Sequence, residues 1–92
     1  MAAKRPEGAL EFEFDGKVYR LEKNAINSMK VQRAMAYDGI PERMHEVWDA
    51  IDEIFGGRTV EYMDAIAVEG EGCTAERWAA FFQAAMEAAA KN

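Results

Sequence analysis

Leu10-Glu11-Phe12-Glu13-Phe14-Asp15-Gly16-Lys17-Val18-Tyr19-Arg20-Leu21 is the stretch whose reading decides the fold. Apolar and acidic residues alternate up to Phe14, the period of a strand that buries one face. Asp15-Gly16 is a residue pair that tolerates positive φ at both central positions of a tight turn, and a second strand returns after it. A two-residue loop sets Phe14 opposite Lys17, Phe12 opposite Tyr19 and Leu10 opposite Leu21 on one face, with Glu11 opposite Arg20 on the other. An isolated hairpin is marginal in water, so this aromatic face needs cover from the rest of the chain or from another chain.

Downstream of the hairpin the spacing becomes helical. From about Asn24 to Tyr37 the apolar residues Ala25, Ile26, Met29, Val31, Ala34, Met35, Ala36 and Tyr37 read as one helix, closed by Asp38-Gly39 with Pro41 just beyond. Its apolar positions nearly encircle the axis, which suits an element contacted from two sides. Pro41 opens the next helix, in which Met44, Val47, Trp48, Ile51, Ile54 and Phe55 share a face until Gly56-Gly57 ends it. Thr59 is placed to cap a short helix carrying Val60, Met63, Ile66 and Ala67, followed by the polar loop Glu69-Gly70-Glu71-Gly72. Thr74 caps the last helix, where Trp78, Phe81, Phe82, Ala85, Met86 and Ala89 form a stripe opposite Glu76, Gln83, Glu87 and Lys91. Added alanines widen that stripe beyond what one neighbour in a small domain covers. The expected architecture is α+β and mostly helical: an N-terminal two-stranded β-hairpin followed by a small bundle of about four helices. Residues 1–9 read as a flexible N-terminal tail and residues 10–92 as a single domain.

Ninety-two residues, half of them apolar, provide for one core and not two. Eleven Lys and Arg against 17 Asp and Glu leave a net charge of -6, a field that opposes phosphate backbones and anionic lipid. Neither nucleic acid nor a membrane is an expected partner. Cys73 and His45 are the chain's one cysteine and one histidine, which excludes an internal disulfide and leaves too few soft ligands for structural zinc. No apolar run approaches the roughly 18 residues of a membrane span, and the first residues lack the apolar core of a signal peptide. The expectation is an intracellular, metal-free protein.

Candidate chemistry is sparse. Glu42, Glu46, Asp49 and Glu53 fall at helical spacing opposite Trp48 and Ile51, but acid–base catalysis needs a cleft that desolvates one carboxylate of a pair. This row belongs on a solvated face, where its functional reading is attraction for a basic partner. Glu69-Gly70-Glu71-Gly72 beside Asp64 lacks the alternating Asp/Asn ligands and closing Glu of an EF-hand loop, and no Gly-rich phosphate cradle occurs. Cys73 and His45 make a nucleophile pair only if the fold joins them with a third, orienting group, and none is identifiable. No catalytic, metal-binding or cofactor-binding residue is assigned, and no enzyme is expected. Six methionines are many for this length. Met29, Met35, Met44, Met63 and Met86 lie in helical segments, where thioethers fill core gaps or form adaptable surfaces, and Met35 and Met86 are the interface candidates.

The order of hairpin, helix ending in Ile54-Phe55-Gly56-Gly57, short helix with Glu61-Tyr62-Met63-Asp64, acidic Gly-containing loop and Thr74-Ala75-Glu76-Arg77-Trp78-Ala79-Ala80-Phe81-Phe82 resembles the tail assembly chaperones of long-tailed (siphovirus-type) phages and prophages. The similarity runs from about residue 10 to residue 90. It implies a non-enzymatic protein of the bacterial host cytoplasm, without cofactor, that binds the tape measure protein and assists polymerisation of the tail tube protein around it. A homo-oligomer is compatible with that role. Capture of an amphipathic helix in a groove makes Trp78, Phe82 and Met86, with Met35 second, the expected partner-contacting residues. The resemblance also implies a longer product made by ribosomal slippage, for which codons of Ala90-Lys91-Asn92 could supply an A-rich slippery site; the gene sequence decides this. The alternative function is an acidic regulatory or nucleic-acid-mimic protein that binds a basic host protein. That alternative predicts salt-sensitive binding indifferent to Phe82→Ala.

Overall fold

A computed structural model describes residues 9–91. Strands β1 (Ala9–Phe14) and β2 (Lys17–Glu22) pair antiparallel in the register read above, with Leu10 opposite Leu21, Phe12 opposite Tyr19 and Glu11 opposite Arg20. Asp15 and Gly16 both take positive φ, 53° and 83°, the backbone that lets a two-residue loop follow the twist of its strands. Ala9 already pairs with Glu22, so the strand starts one residue inside the segment expected as a tail. The rest of that tail, residues 1–8, lies outside the described residues.

The helix expected over Asn24–Tyr37 is two elements, α1 (Lys23–Ile26) and α2 (Met29–Met35). Ser28 divides them. Its backbone is extended and its Oγ accepts a hydrogen bond from the Val31 N–H at 3.4 Å, so it caps α2 rather than continuing α1. The near-continuous apolar coverage thus belongs to two short elements joined at a cap. Pro41–Arg43 forms one 3-10 turn that leads into α3 (Met44–Ile54). Gly56 and Gly57, at φ 63° and 81°, end α3, and the Gly57 N–H returns to the Asp52 carbonyl at 2.8 Å in a left-handed cap that a side chain would strain.

Thr59 is not the cap of α4 (Thr59–Ile66); Arg58 holds that position, and Thr59 is the first helical residue. Its side chain is buried and its Oγ1 has no hydrogen-bond partner. One turn before Tyr62 and Met63, Thr59 shares the face that α4 turns inward, and burial overrides its capping preference. Thr74 does cap α5 (Ala75–Lys91), its Oγ1 accepting from the Arg77 N–H at 3.1 Å.

Packing centres on Phe81. Its fully buried ring lies with centroids 4.9 to 5.8 Å from those of Phe12, Phe14, Tyr19, Phe55, Tyr62 and Trp78, within the range in which tilted and edge-to-face aromatic pairs attract. The hairpin's aromatic face is therefore closed by α5 of the same chain. Two polar ties hold the closure. The Tyr62 hydroxyl accepts the Arg20 backbone N–H at 3.1 Å, satisfying a donor on the outer edge of β2. Arg77 donates from Nε to the Ile66 carbonyl and from a terminal nitrogen to the Asp15 carboxylate, each at 2.8 Å, while its guanidinium lies 4.8 Å from the centroid of Phe14. One side chain thereby links the hairpin turn, the end of α4 and the start of α5.

Candidate functional site

Helix α5 presents two apolar faces of different fate. Phe81 and Ala85 point into the closed core against the hairpin, whereas Trp78, Phe82 and Met86 are half-buried. Two shallow adjoining depressions lie along this second face. The first, ≈ 300 Å³, is lined by Met35, Met44, Trp48, Ile51, Trp78 and Phe82, with Asp38 and Gln83 at its edge. The second, ≈ 320 Å³, is lined by Ile26, Val31, Met35, Ile54, Phe82 and Met86, with Gln32. Met35 and Phe82 belong to both, so the two form one trough between α5 and the layer of α2 and α3.

All four residues expected to contact a partner line this trough: Trp78, Phe82 and Met86 from α5, and Met35 from α2. Sequence reasoning placed Trp48 in the core-facing stripe of α3 and missed it here. Trp48 is 38% exposed, and its ring centroid lies 6.2 Å from that of Trp78. The sequence carried no signal for it, since Met44, Val47, Trp48 and Ile51 span about 100° of the helix, the ordinary width of a core-facing stripe.

Charge is distributed unevenly around the trough. Asp38 is the single charged residue lining either depression. Lys30, Arg33 and Arg43 instead line a third depression of ≈ 420 Å³ between α2 and α3, with Glu46, Asp49 and Glu53, which meets the trough only at Val31. There Arg43 grips the Glu46 carboxylate through two nitrogens, at 2.6 and 3.3 Å, and stacks 4.0 Å from the Tyr37 centroid. That hydrogen-bonded contact holds the Glu46 carboxyl below the usual range and raises Arg43. The carboxylate row on α3 is therefore interleaved with cations, and Glu46 is engaged by Arg43 rather than paired with a second carboxylate.

The remaining chemical candidates are separate. Cys73 is half-buried ahead of α5, its thiol turned toward the Thr74 carbonyl at 3.9 Å, and burial pushes its pKa up, the opposite of an activated nucleophile. His45 is exposed on α3, and no hydrogen bond joins the two among the described residues. The Glu69–Gly72 stretch is a turn closed by a bridge between Val68 and Gly72. Among the described residues, no group of three or more His, Cys, Asp or Glu is placed to hold a metal, and no helix is long and apolar enough to cross a membrane.

Comparison with protein-family models, with curated proteins and with solved structures finds no match for this chain. A shallow groove with aromatic and thioether walls suits the apolar stripe of an amphipathic helix, whose anchors at i, i+3, i+4 and i+7 enter successive depressions.

Proposed function

We propose that this protein is a non-enzymatic phage tail assembly chaperone that holds an apolar helical segment of a tape measure protein in the trough and assists polymerisation of the tail tube around it. The observation that carries this reading is the gathering of Met35, Trp78, Phe82 and Met86 on one partly buried apolar surface, while the adjacent Phe81–Ala85 face of α5 is closed by the hairpin. The sequence resemblance points to a tape measure protein as client, and the apolar lining of the trough supports a helical segment of it as the bound part. Reversible capture needs an adaptable surface, and thioethers beside indoles provide one.

The test is co-expression with a tape measure protein of a long-tailed phage, taken from the genome that carries this gene, followed by pull-down and light scattering. Wild type should yield a soluble complex, and Phe82→Asp should lose it while keeping the helical circular-dichroism signal. A tape measure protein that stays insoluble or unbound beside a folded wild-type domain overturns the reading. The acidic-regulator alternative draws no support from the α3 carboxylates, because Lys30, Arg33 and Arg43 line the same depression as Glu46, Asp49 and Glu53. A complex with a basic host protein that salt dissolves and Phe82→Asp leaves intact would restore it.

A further inference from the structure

We infer that the trough selects helices whose apolar stripe is bordered on both sides by Lys or Arg, an inference that rests on the capture reading and specifies the chemistry of the captured segment. The argument is one of charge placement around an apolar floor. On α5, Gln83 at the trough's edge donates to Glu87 at 3.2 Å, and Glu76 lies one turn before Ala79, which also lines the first depression. Across the trough, Asp52 follows Trp48 by one turn of α3, and Asp38 closes the end beyond α2. All four of these carboxylate residues are exposed. Neither depression is lined by a Lys or Arg; Lys30, Arg33 and Arg43 line the depression between α2 and α3, which meets the trough at Val31.

The acidic rim distinguishes among occupants. A second copy of the chain would bring carboxylate rims together, each copy carrying a net charge of -6, and like charge across an apolar contact opposes association. Anionic lipid is repelled for the same reason. An uncharged apolar helix gains the floor but leaves the rim unanswered. A helix with Lys or Arg on both shoulders of its apolar stripe fills the two depressions on either side of Met35 and Phe82 and places cations over Asp38, Asp52, Glu76 and Glu87.

The chain's two tryptophans, Trp48 and Trp78, both line the first depression, so intrinsic fluorescence reports occupancy directly. Three synthetic helical peptides share one Leu/Ala stripe and differ only in the residues beside it: Lys, Gln or Glu. At low salt the Lys peptide should bind about tenfold more tightly than the Gln peptide, with the Glu peptide weakest, and the spread should contract in 0.5 M salt as screening shortens. The double variant Asp52→Lys/Glu87→Lys leaves two carboxylates and two ammonium groups on the rim and should remove most of the spread. Phe82→Asp separates seated binding from general attraction between a basic peptide and an acidic protein. It adds negative charge, so general attraction would strengthen, whereas binding in the trough is lost.

Equal affinity for all three peptides overturns the inference and leaves the capture reading standing. Tighter binding of the Lys peptide to Phe82→Asp also overturns it, since attraction then bypasses the trough. No binding of any peptide to the folded domain overturns both. Concentration-dependent dimerisation that Phe82→Asp abolishes would give the trough to a second copy and overturn the inference in that direction.

Discussion

Phe81 and Phe82 are neighbours on α5 with opposite surroundings. Phe81 is fully buried and ringed by six aromatic side chains contributed by β1, β2, the Phe55 cap of α3, α4 and its own helix, whereas Phe82 is half-buried at the junction of two open depressions. The hairpin side of α5 is completed within the chain. The side facing α2 and α3 is not, although its residues are just as apolar. Hydrophobic surface that closes a core stabilises the fold through all its neighbours. Equivalent surface left as a trough contributes less to the fold and remains able to bind.

The sharpest way to break this comparison is to truncate each ring. Phe81→Ala should cost about 3–5 kcal/mol, the range for removing a buried aromatic from a packed core. That is comparable with the whole stability of a domain this small, so Phe81→Leu serves as the milder companion and should still lower the denaturation midpoint. Phe82→Ala should cost less, about 2 kcal/mol, because its ring is only partly buried, yet it should abolish peptide capture. Chemical denaturation of the three variants checks the order. Equal losses at the two positions would mean that the trough is part of the core.

A smaller effect with the opposite sign is expected at Thr59, whose hydroxyl is buried without a hydrogen-bond partner. Thr59→Val keeps the shape and removes the unsatisfied group, so it should raise stability by about 1 kcal/mol. The trough's tryptophans should not respond, because Thr59 lies in α4 and lines neither depression. Destabilisation by Thr59→Val would show that the hydroxyl is satisfied in solution and that the inward face of α4 is more polar than described.

How much of this was legible follows from the range over which each determinant acts. The hairpin and its register were readable because alternation and the Asp15-Gly16 turn are local and mutually consistent. The C-terminal end of α3 and the cap at Thr74 were readable for the same reason, whereas Pro41, expected to open α3, stands in a 3-10 turn ahead of its start at Met44. Ser28 was not, because a serine inside an apolar run looks like a solvent-facing helical residue until its hydroxyl is seen capping the next element. Thr59 was misread because cap preference is a local tendency and burial is a tertiary fact. The contacts from Tyr62 to Arg20 and from Arg77 to Asp15 join residues 42 and 62 positions apart, beyond any local pattern. For the trough, the excess width of the α5 stripe was visible in the sequence. Which part of each stripe stays uncovered, including Trp48, depends on how α2, α3 and α5 are spaced.

The least effect is expected from the ion pair that keeps Arg43 on the far side of α3. Hydrogen bonding to Arg43 lowers the Glu46 carboxyl from its ordinary value of 4.5. A carboxyl lowered on folding contributes stability that is present above its unfolded value and is lost as pH falls through the depressed folded value. Wild type should therefore exceed Arg43→Ala in thermal stability at neutral pH, and the gap should close progressively below about pH 4.5. The gap should be small, since both partners are partly exposed, at 44% and 34% of their side-chain surface, and water screens such pairs. An NMR titration of the Glu46 side chain supplies the direct check, with the transition moving upward in Arg43→Ala. Because this pair borders the charged depression and not the trough, fluorescence of Trp48 and Trp78 should remain constant across the same titration of the unliganded protein. If the tryptophans followed Glu46, the charged and apolar sides of the α2–α3 layer would be coupled, and the separation of cations from the trough would depend on pH instead of being built into the packing.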